Sequence, residues 1–306
     1  RKKVRTIMKE DMKNKLHGYL FTLSAVTIFA AQDGLSKYLG THYPPVLVAM
    51  IRYWAFAVFV LFLAARAGGI RHAASTKRPF LQIFRGVMLV AQIVVMIYAF
   101  AHAGMAMSQS ILQGTPLIIT LLSVPLLGEK VGWRRLTAII VGLCGVLLII
   151  NPVGADFGPT LLVPVLGVLM FALYGIATRA VSRVDRSMTS FFYTGIAGAA
   201  AITLIGPFYM TPIALHDWGW MGALCISGMV SHYLLIRAYD ILEASEVQPL
   251  TYFQLVIGSF IAVTVFNERL SWNMIAGAII VVGAGLFTVL REHHLATKKA
   301  RAEAAT

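Results

Sequence analysis

The sequence predicts an all-α polytopic membrane protein, ten transmembrane helices arranged as two inverted-topology five-helix repeats. Three observations predict it. Apolar residues fill 58% of the 306 positions and charged ones only 13%, against roughly 45–50% and 25% in soluble domains. The charges sit in short islands between apolar runs of membrane-spanning length, and the two halves of the chain match each other. A net charge of +13 suggests a nucleic-acid partner, but nucleic-acid binders spread Lys and Arg over a solvated surface. The island layout excludes that partner, and a soluble monomer with it.

A helix needs about 20 apolar residues to cross a bilayer. The first run, 17–38, follows a charged tail at 1–16 and lacks a small-residue cleavage pattern, so it reads as a retained span. The chain starts without Met, and its first residues are assigned no function. Pro44-Pro45 opens span 2 at 44–66, and Gly68-Gly69 separates it from span 3 at 80–102. Spans 4 and 5 follow at 106–127 and 133–150, then Asn151-Pro152 and Gly158-Pro159 mark a break. Spans 6 to 10 lie at 160–180, 187–209, 217–239, 245–266 and 273–291, before a charged tail at 292–306. Two repeats, 17–150 and 160–291, are thus expected, with no soluble domain between them.

Cytoplasmic loops retain Lys and Arg. With the N-terminus inside, 23 of the 26 basic residues fall on the cytoplasmic side, Arg85 among them; Lys37 and Arg269 lie outside, and Arg52 lies within span 2. Both termini are therefore expected in the cytoplasm of a bacterial-type inner (plasma) membrane, and the charge is mostly a topology signal. Cys144 and Cys225 both fall within spans, so no disulfide framework or Cys-based metal site is implied.

At an offset of 139, Ala99 matches Ala238, Gln109 matches Gln248, Glu129 matches Glu268, Lys130 matches Arg269 and Trp133 matches Trp272. Earlier in each half the offset is 142, matching Phe29 with Phe171 and Lys37 with Arg179. Because five is odd, the second unit enters the membrane from the side opposite to the first. Inverted repeats are the architecture of secondary transporters, which bind substrate near the midplane and rock one part against another.

Ten spans in two halves, with an acidic residue after the fourth span of each (Gly128-Glu129-Lys130 and Asn267-Glu268-Arg269) and a glycine-bearing fifth span, resemble the EamA branch of the drug/metabolite transporter superfamily. The resemblance covers about 17–291 and is nearest in overall pattern to YddG-type aromatic amino-acid exporters. The second copy departs from the first in having Asn267 where the first has Gly128. The resemblance implies export of amino acids or related amphipathic metabolites.

An ionisable side chain at the bilayer centre costs about 2.5–3.5 kcal/mol and needs a partner or a wet cavity. Asp33 lies ~7.5 Å below the outer end of span 1 and Arg52 ~12 Å below that of span 2, by helical rise. They form a structural ion pair, or they line an outer vestibule and bind an amino acid's two charged groups. Further substrate-binding candidates are Gln92 and Tyr98 in span 3, Gln113 and Thr115 in span 4, Tyr174 in span 6, His232 and Tyr233 in span 8, and Tyr252 and Gln254 in span 9. Gln109 and Pro116 in span 4 and their counterparts Gln248 and Pro249 in span 9 are candidates for gating or kinking, since proline frees a backbone carbonyl. Each of these residues also has a plain packing role open to it. Glu129 and Glu268 read as caps at helix starts. Gly142 and Gly145 in span 5 and Gly277, Gly283 and Gly285 in span 10 permit close helix approach, scaffolding the fold or forming a homodimer face.

These residues define the expected function. No phosphate-loop motif is present, so an ATP-driven pump is disfavoured. Ser231 and His232 are adjacent and point about 100° apart on a helix, which argues against an intramembrane enzyme; no catalytic residue, metal or cofactor is expected. Aromatics, amides and hydroxyls with little fixed charge suit small amphipathic solutes: aromatic amino acids and other neutral ones such as Thr and Met. The alternative is efflux of lipophilic drug cations, for which Asp33 is the only candidate counter-ion. The expected partners are a small-molecule substrate and the lipid bilayer, with no nucleic acid.

Overall fold

Apolar runs separated by proline and glycine pairs become helices separated by tight turns. The computed structural model describes residues 2–66, 68–127, 132–151, 158–182, 184–239, 241–242 and 244–303. The helices are α1 (Lys2–His42), α2 (Pro45–Arg66), α3 (Ile70–Ala73), α4 (Pro79–His102), α5 (Met105–Leu112), α6 (Thr115–Leu127), α7 (Trp133–Ile150), α8 (Val163–Ser182), α9 (Ser187–Ile205), α10 (Asp217–Tyr239), α11 (Ala244–Thr251), α12 (Phe253–Thr264) and α13 (Trp272–Glu303). Short 3-10 turns lie at Pro159–Leu162 and Gly206–Tyr209. The ten apolar runs fall on ten helical rods, with α5–α6 forming span 4 and α11–α12 span 9. Five stretches among the described residues are long and apolar enough to cross a membrane: Pro45–Arg66, Pro79–His102, Met105–Leu126, Pro159–Ser182 and Ser187–Tyr209. The two charged tails continue the first and last spans as helix, α1 beginning at Lys2 and α13 running to Glu303. Neither stretch contains proline or glycine; the first is rich in Lys and Arg and the second in Ala, residues that favour helix.

Spans 4 and 9 are discontinuous, as their prolines suggest, but the break in span 4 precedes Pro116. The chain turns at Gln113-Gly114, and Pro116 sits in the first turn of α6, where its missing N–H costs nothing. The Leu112 carbonyl is taken up by the Thr115 hydroxyl at 2.6 Å. In span 9, Pro249 lies inside α11 and the break falls at Tyr252.

Helix packing follows the repeat. Span 1 lies on span 8 (α1 on α10) as span 6 lies on span 3 (α8 on α4). Span 1 meets span 9 (α12) as span 6 meets span 4 (α6), while α2 packs on α9 and α7 on α13. Exchanging the two halves leaves this pairing scheme unchanged, as an inverted repeat requires. The largest core cluster, including Leu47, Met50, Tyr53, Val90, Ile202 and Leu224, fills the space among α1, α2, α4, α9 and α10.

The α7–α13 contact explains the small residues of spans 5 and 10. A Cβ on Gly145 would lie 3.0 Å from the Gly277 carbonyl oxygen, and one on Gly277 would lie 2.6 Å from the Gly145 carbonyl oxygen. Gly142 accommodates Leu117, and Gly285 accommodates the Tyr252 hydroxyl. These four glycines are used within the chain. The outward surface of the two helices carries Ile140, Val141, Leu147, Ile279 and Phe287 instead.

Candidate functional site

A cavity of about 570 Å³ lies between α2, α4, α8, α9 and α10. It runs from Arg52, Cys225 and Gly228 at one end to Asp185 and Ser187 in the α8–α9 connection at the other. Its wall is mainly apolar and aromatic, with Tyr53, Phe56, Tyr174, Phe191 and Tyr233 among the rings. His232 is held in place by its Nδ1 contact with the Gly228 carbonyl at 2.7 Å and by the Phe29 ring edge at 5.1 Å. Four of the predicted site residues thus meet here: Arg52, Tyr174, His232 and Tyr233.

Arg52 lines the cavity beside Gly228 of α10. A Cβ at that position would stand 3.6 Å from Arg52 Nε and 3.1 Å from Gln32 Oε1. Among the described residues Arg52 has neither a hydrogen-bond nor an ion-pair partner. The expected direct pair with Asp33 is not formed. Asp33 Oδ2 instead accepts hydrogen bonds from Gln109 Nε2 at 2.8 Å and Gln254 Nε2 at 2.7 Å. Those two amides flank the breaks in spans 4 and 9, so Asp33 joins the first span to both discontinuous ones. Neighbouring depths and the outward reach of an arginine side chain suggested Arg52 as a partner for Asp33, but the direction in which each side chain leaves its helix decided it.

Arg85 is the residue that the sequence reading missed. Its place next to Arg78 and Pro79 puts it with the loop charges, yet α4 starts at Pro79 and carries Arg85 inward to 2% exposure. Its guanidinium donates to the Ser190 carbonyl, to Thr194 Oγ1 at 2.6 Å and to Thr178 Oγ1 at 3.3 Å, and lies 5.4 Å from the centre of the Tyr174 ring. It lines the same cavity as Arg52. The available signal was that Arg85 lies nearly two turns into an apolar helix that begins with proline.

Asp185, at the mouth, clasps two connections together. It accepts from the Thr76 hydroxyl, from the Lys77 amide at 3.0 Å and from Gln82 Nε2 at 2.9 Å. Burial pushes its carboxyl up, but the bonds from Thr76, Lys77 and Gln82 outweigh that and hold it below the usual carboxylate range.

The far end of the molecule is closed by two polar groups. Asp217, at the start of α10, accepts from Tyr38 at 2.9 Å and Tyr43 at 2.6 Å. Glu268 pairs with Lys37 and accepts the N–H groups of Met105 at 2.7 Å and Ala106 at 3.0 Å. Glu268 is therefore a cap, as expected, but for α5 rather than for its own following helix. Gly104, with φ +94°, brings that helix start against the carboxylate. Asn267, the departure from the first repeat, has φ 53°, a left-handed conformation that Asn tolerates nearly as Gly does. Glu129 lies outside the described residues.

The remaining candidates sit away from the cavity. Tyr98 is exposed and stacks on His102 at 4.1 Å. Gln92 and Thr115 are buried, and Gln113 is half-buried beside the break in span 4. Tyr252 is buried, its hydroxyl pressed on Gly285 without a hydrogen-bond partner among the described residues. Gln109, Gln254, Pro116 and Pro249 belong to the breaks, and the side chain of Gln248 lies outside the described residues. Among the described residues there is no cluster of metal-binding side chains.

This architecture recurs in known proteins. The chain is 28% identical to an S-adenosylmethionine uptake transporter of Rickettsia bellii, covering 95% of this chain and 100% of the relative. It is 28% identical to a riboflavin transporter of Vibrio cholerae, over 94% of this chain and 96% of the relative. It is 24% identical to a pseudopaline exporter of Pseudomonas aeruginosa, over 87% and 94%. A solved crystal structure with 19% identity superposes with a TM-score of 0.59 over 93% of this chain and 99% of that one, a likeness of fold. These comparisons do not show the YddG-type similarity. Residues 16–151 and 158–290 each match the EamA-like transporter family, and the chain belongs to that family of membrane transporters within the drug/metabolite transporter superfamily.

Proposed function

We propose that this transporter carries small amphipathic metabolites bearing a carboxylate, amino acids and amino-acid-derived solutes foremost, by alternating access. The observation that supports this most directly is Arg52, a cation without a protein partner among the described residues, on the wall of a cavity lined with aromatic rings. A guanidinium binds a carboxylate through two parallel hydrogen bonds, and the rings cover the apolar body of the solute. The volume lies within the ~300–1,000 Å³ of sites for drug-sized ligands, so adenosyl-bearing amino acids fit as well as Phe, Thr or Met. One relative takes up S-adenosylmethionine, an amino-acid-headed solute. The cavity reaches the end whose loops carry the basic residues, the cytoplasmic end by the positive-inside rule. Loading from that side is the first step of export. A lipophilic cation fits less well, because Asp33 is engaged by two amides and the cavity presents guanidinium groups.

Counterflow in proteoliposomes with labelled Phe, Thr, Met and S-adenosylmethionine tests the reading. Saturable exchange of at least one is expected, with Arg52→Ala weakening apparent affinity by about 10- to 100-fold, as for the loss of a charged hydrogen bond. Exchange of none, together with transport of a toxic cation, reverses it.

A further inference from the structure

Resting on the reading of the chain as a carrier of carboxylate-bearing solutes, we infer that Arg85 is a second carboxylate anchor, the counterpart of Arg52 in the symmetry-related helix triad. The solute's carboxylate is held by Arg52 in the state seen here and by Arg85 in the state open to the opposite side.

Arg52 stands on span 2 and faces Gln32 of span 1 and Gly228 of span 8. Exchanging the halves turns the triad of spans 1, 2 and 8 into spans 6, 7 and 3. Arg85 stands on span 3 and faces Tyr174 and Thr178 of span 6 and Ser190 and Thr194 of span 7. The repeat offset maps Gln32 onto Tyr174 and Arg52 onto Thr194, and both mapped residues touch Arg85. Each of the two symmetry-related triads therefore carries one guanidinium at an equivalent place, but from a different helix of its triad, both arginines belonging to the first repeat. Aligning the halves residue by residue does not reveal the pair.

A second argument is electrostatic. Arg85 is 2% exposed, and among the described residues its Nε lacks a hydrogen-bond partner and it pairs with no carboxylate. A buried charge without a counter-ion is strongly unfavourable. Asp185, the acid on the same cavity, is occupied by Thr76, Lys77 and Gln82. An anionic group on the solute supplies the missing partner.

The two arginines differ in the way that alternation requires. Arg85, nearer the Asp185 mouth, is held by Ser190, Thr194 and Thr178, while Arg52, at the inner end, makes no hydrogen bond or ion pair among the described residues. When the halves exchange conformations, Arg85 lies at the closed end and is the one released.

Sided transport tests this. Wild type, Arg52→Gln, Arg85→Gln and Arg85→Lys are assayed in inside-out and right-side-out vesicles with labelled S-adenosylmethionine and phenylalanine, and detergent melting curves check folding. Arg52→Gln is expected to raise half-saturation about tenfold or more, the loss of roughly one charged hydrogen bond, mainly from the side of the Asp185 mouth. Arg85→Gln is expected to do so mainly from the opposite side, and Arg85→Lys to restore part of the loss. If Arg85→Gln alters both sides equally, or neither, the inference is overturned while the carrier reading stands. If the wild type shows no saturable flux of either probe, the carrier reading fails and takes the inference with it.

Discussion

Lys37 on α1 and Glu268, 231 positions later in the chain, form an ion pair whose carboxylate also receives the first two N–H groups of α5. One carboxylate thus joins spans 1, 4 and 9 at the end of the molecule away from the cavity mouth. Both side chains are largely buried, so removing one leaves the other uncompensated. Glu268→Ala is expected to destabilise the protein by about 2–4 kcal/mol, combining a broken buried pair with lost helix-cap bonds. Glu268→Gln, which keeps an acceptor for α5, should cost about half as much. Thermal unfolding in detergent measures both, and an alanine variant that melts with the wild type contradicts the assignment.

Gly258 on α12 lies directly against Gln109, where a Cβ would stand 1.8 Å from Oε1 and 2.5 Å from Cδ. Both are side-chain atoms of the glutamine that donates to Asp33. Gly258→Ala therefore forces Gln109 off Asp33, an overpacking cost of about 1–3 kcal/mol. Transport is expected to fall with stability, because Asp33 then loses its link to span 4. Gly258→Ala combined with Gln109→Ala should recover stability but not transport, which separates crowding from the role of the amide.

The spans were legible because length and apolarity are local properties, and Pro44-Pro45, Gly68-Gly69 and Asn151-Pro152 mark turns by their own backbone preferences. The two broken helices were legible for the same reason, through Pro116 and Pro249. Side-chain partners were less so. Depth alone puts Asp33 near Arg52, yet Gln109 and Gln254 hold Asp33 because both helix breaks turn toward span 1. Arg85 belongs by sequence to a run of cytoplasmic charges, and only the packing of α4 against α8 and α9 takes it out of solvent. Glu268 was legible as a cap but not as the cap of a helix more than 160 residues earlier. Periodicity gives a side chain's face on its own helix, while its partner depends on how the two halves intersect.

Asp185 makes the clasp between the connections at the cavity mouth dependent on pH. Its folded carboxyl lies below the usual carboxylate value because Thr76, Lys77 and Gln82 together outweigh the cost of burial. A depressed folded value means that the ionised clasp adds stability at every pH above the unfolded value of about 3.9 and loses it as pH falls through the folded value. Asp185→Asn should therefore melt below the wild type at neutral pH and converge with it in strong acid. Melting curves from pH 7 downward in detergent check this, and a gap that widens on acidification has the wrong sign.

Gly145 and Gly277 bring the backbones of α7 and α13 together, each carbonyl lying where the other's Cβ would stand. If these glycines serve the intramolecular contact, Gly277→Val destabilises the monomer. It places branched carbons against the Gly145 carbonyl and against Ile149, which a Cβ alone would approach to 2.6 Å. A cost of about 2–4 kcal/mol is expected, at or above the range for overpacking because a backbone atom cannot move aside as a side chain does. If the same glycines instead formed a homodimer face, the substitution would shift the protein toward monomer and leave the monomer's own melting unchanged. Size exclusion with light scattering, run beside thermal unfolding, tells the two apart. The expected result is a lower melting temperature at an unaltered oligomeric state, because the residues facing outward from these helices are Ile140, Val141, Ile279 and Phe287 rather than the glycines.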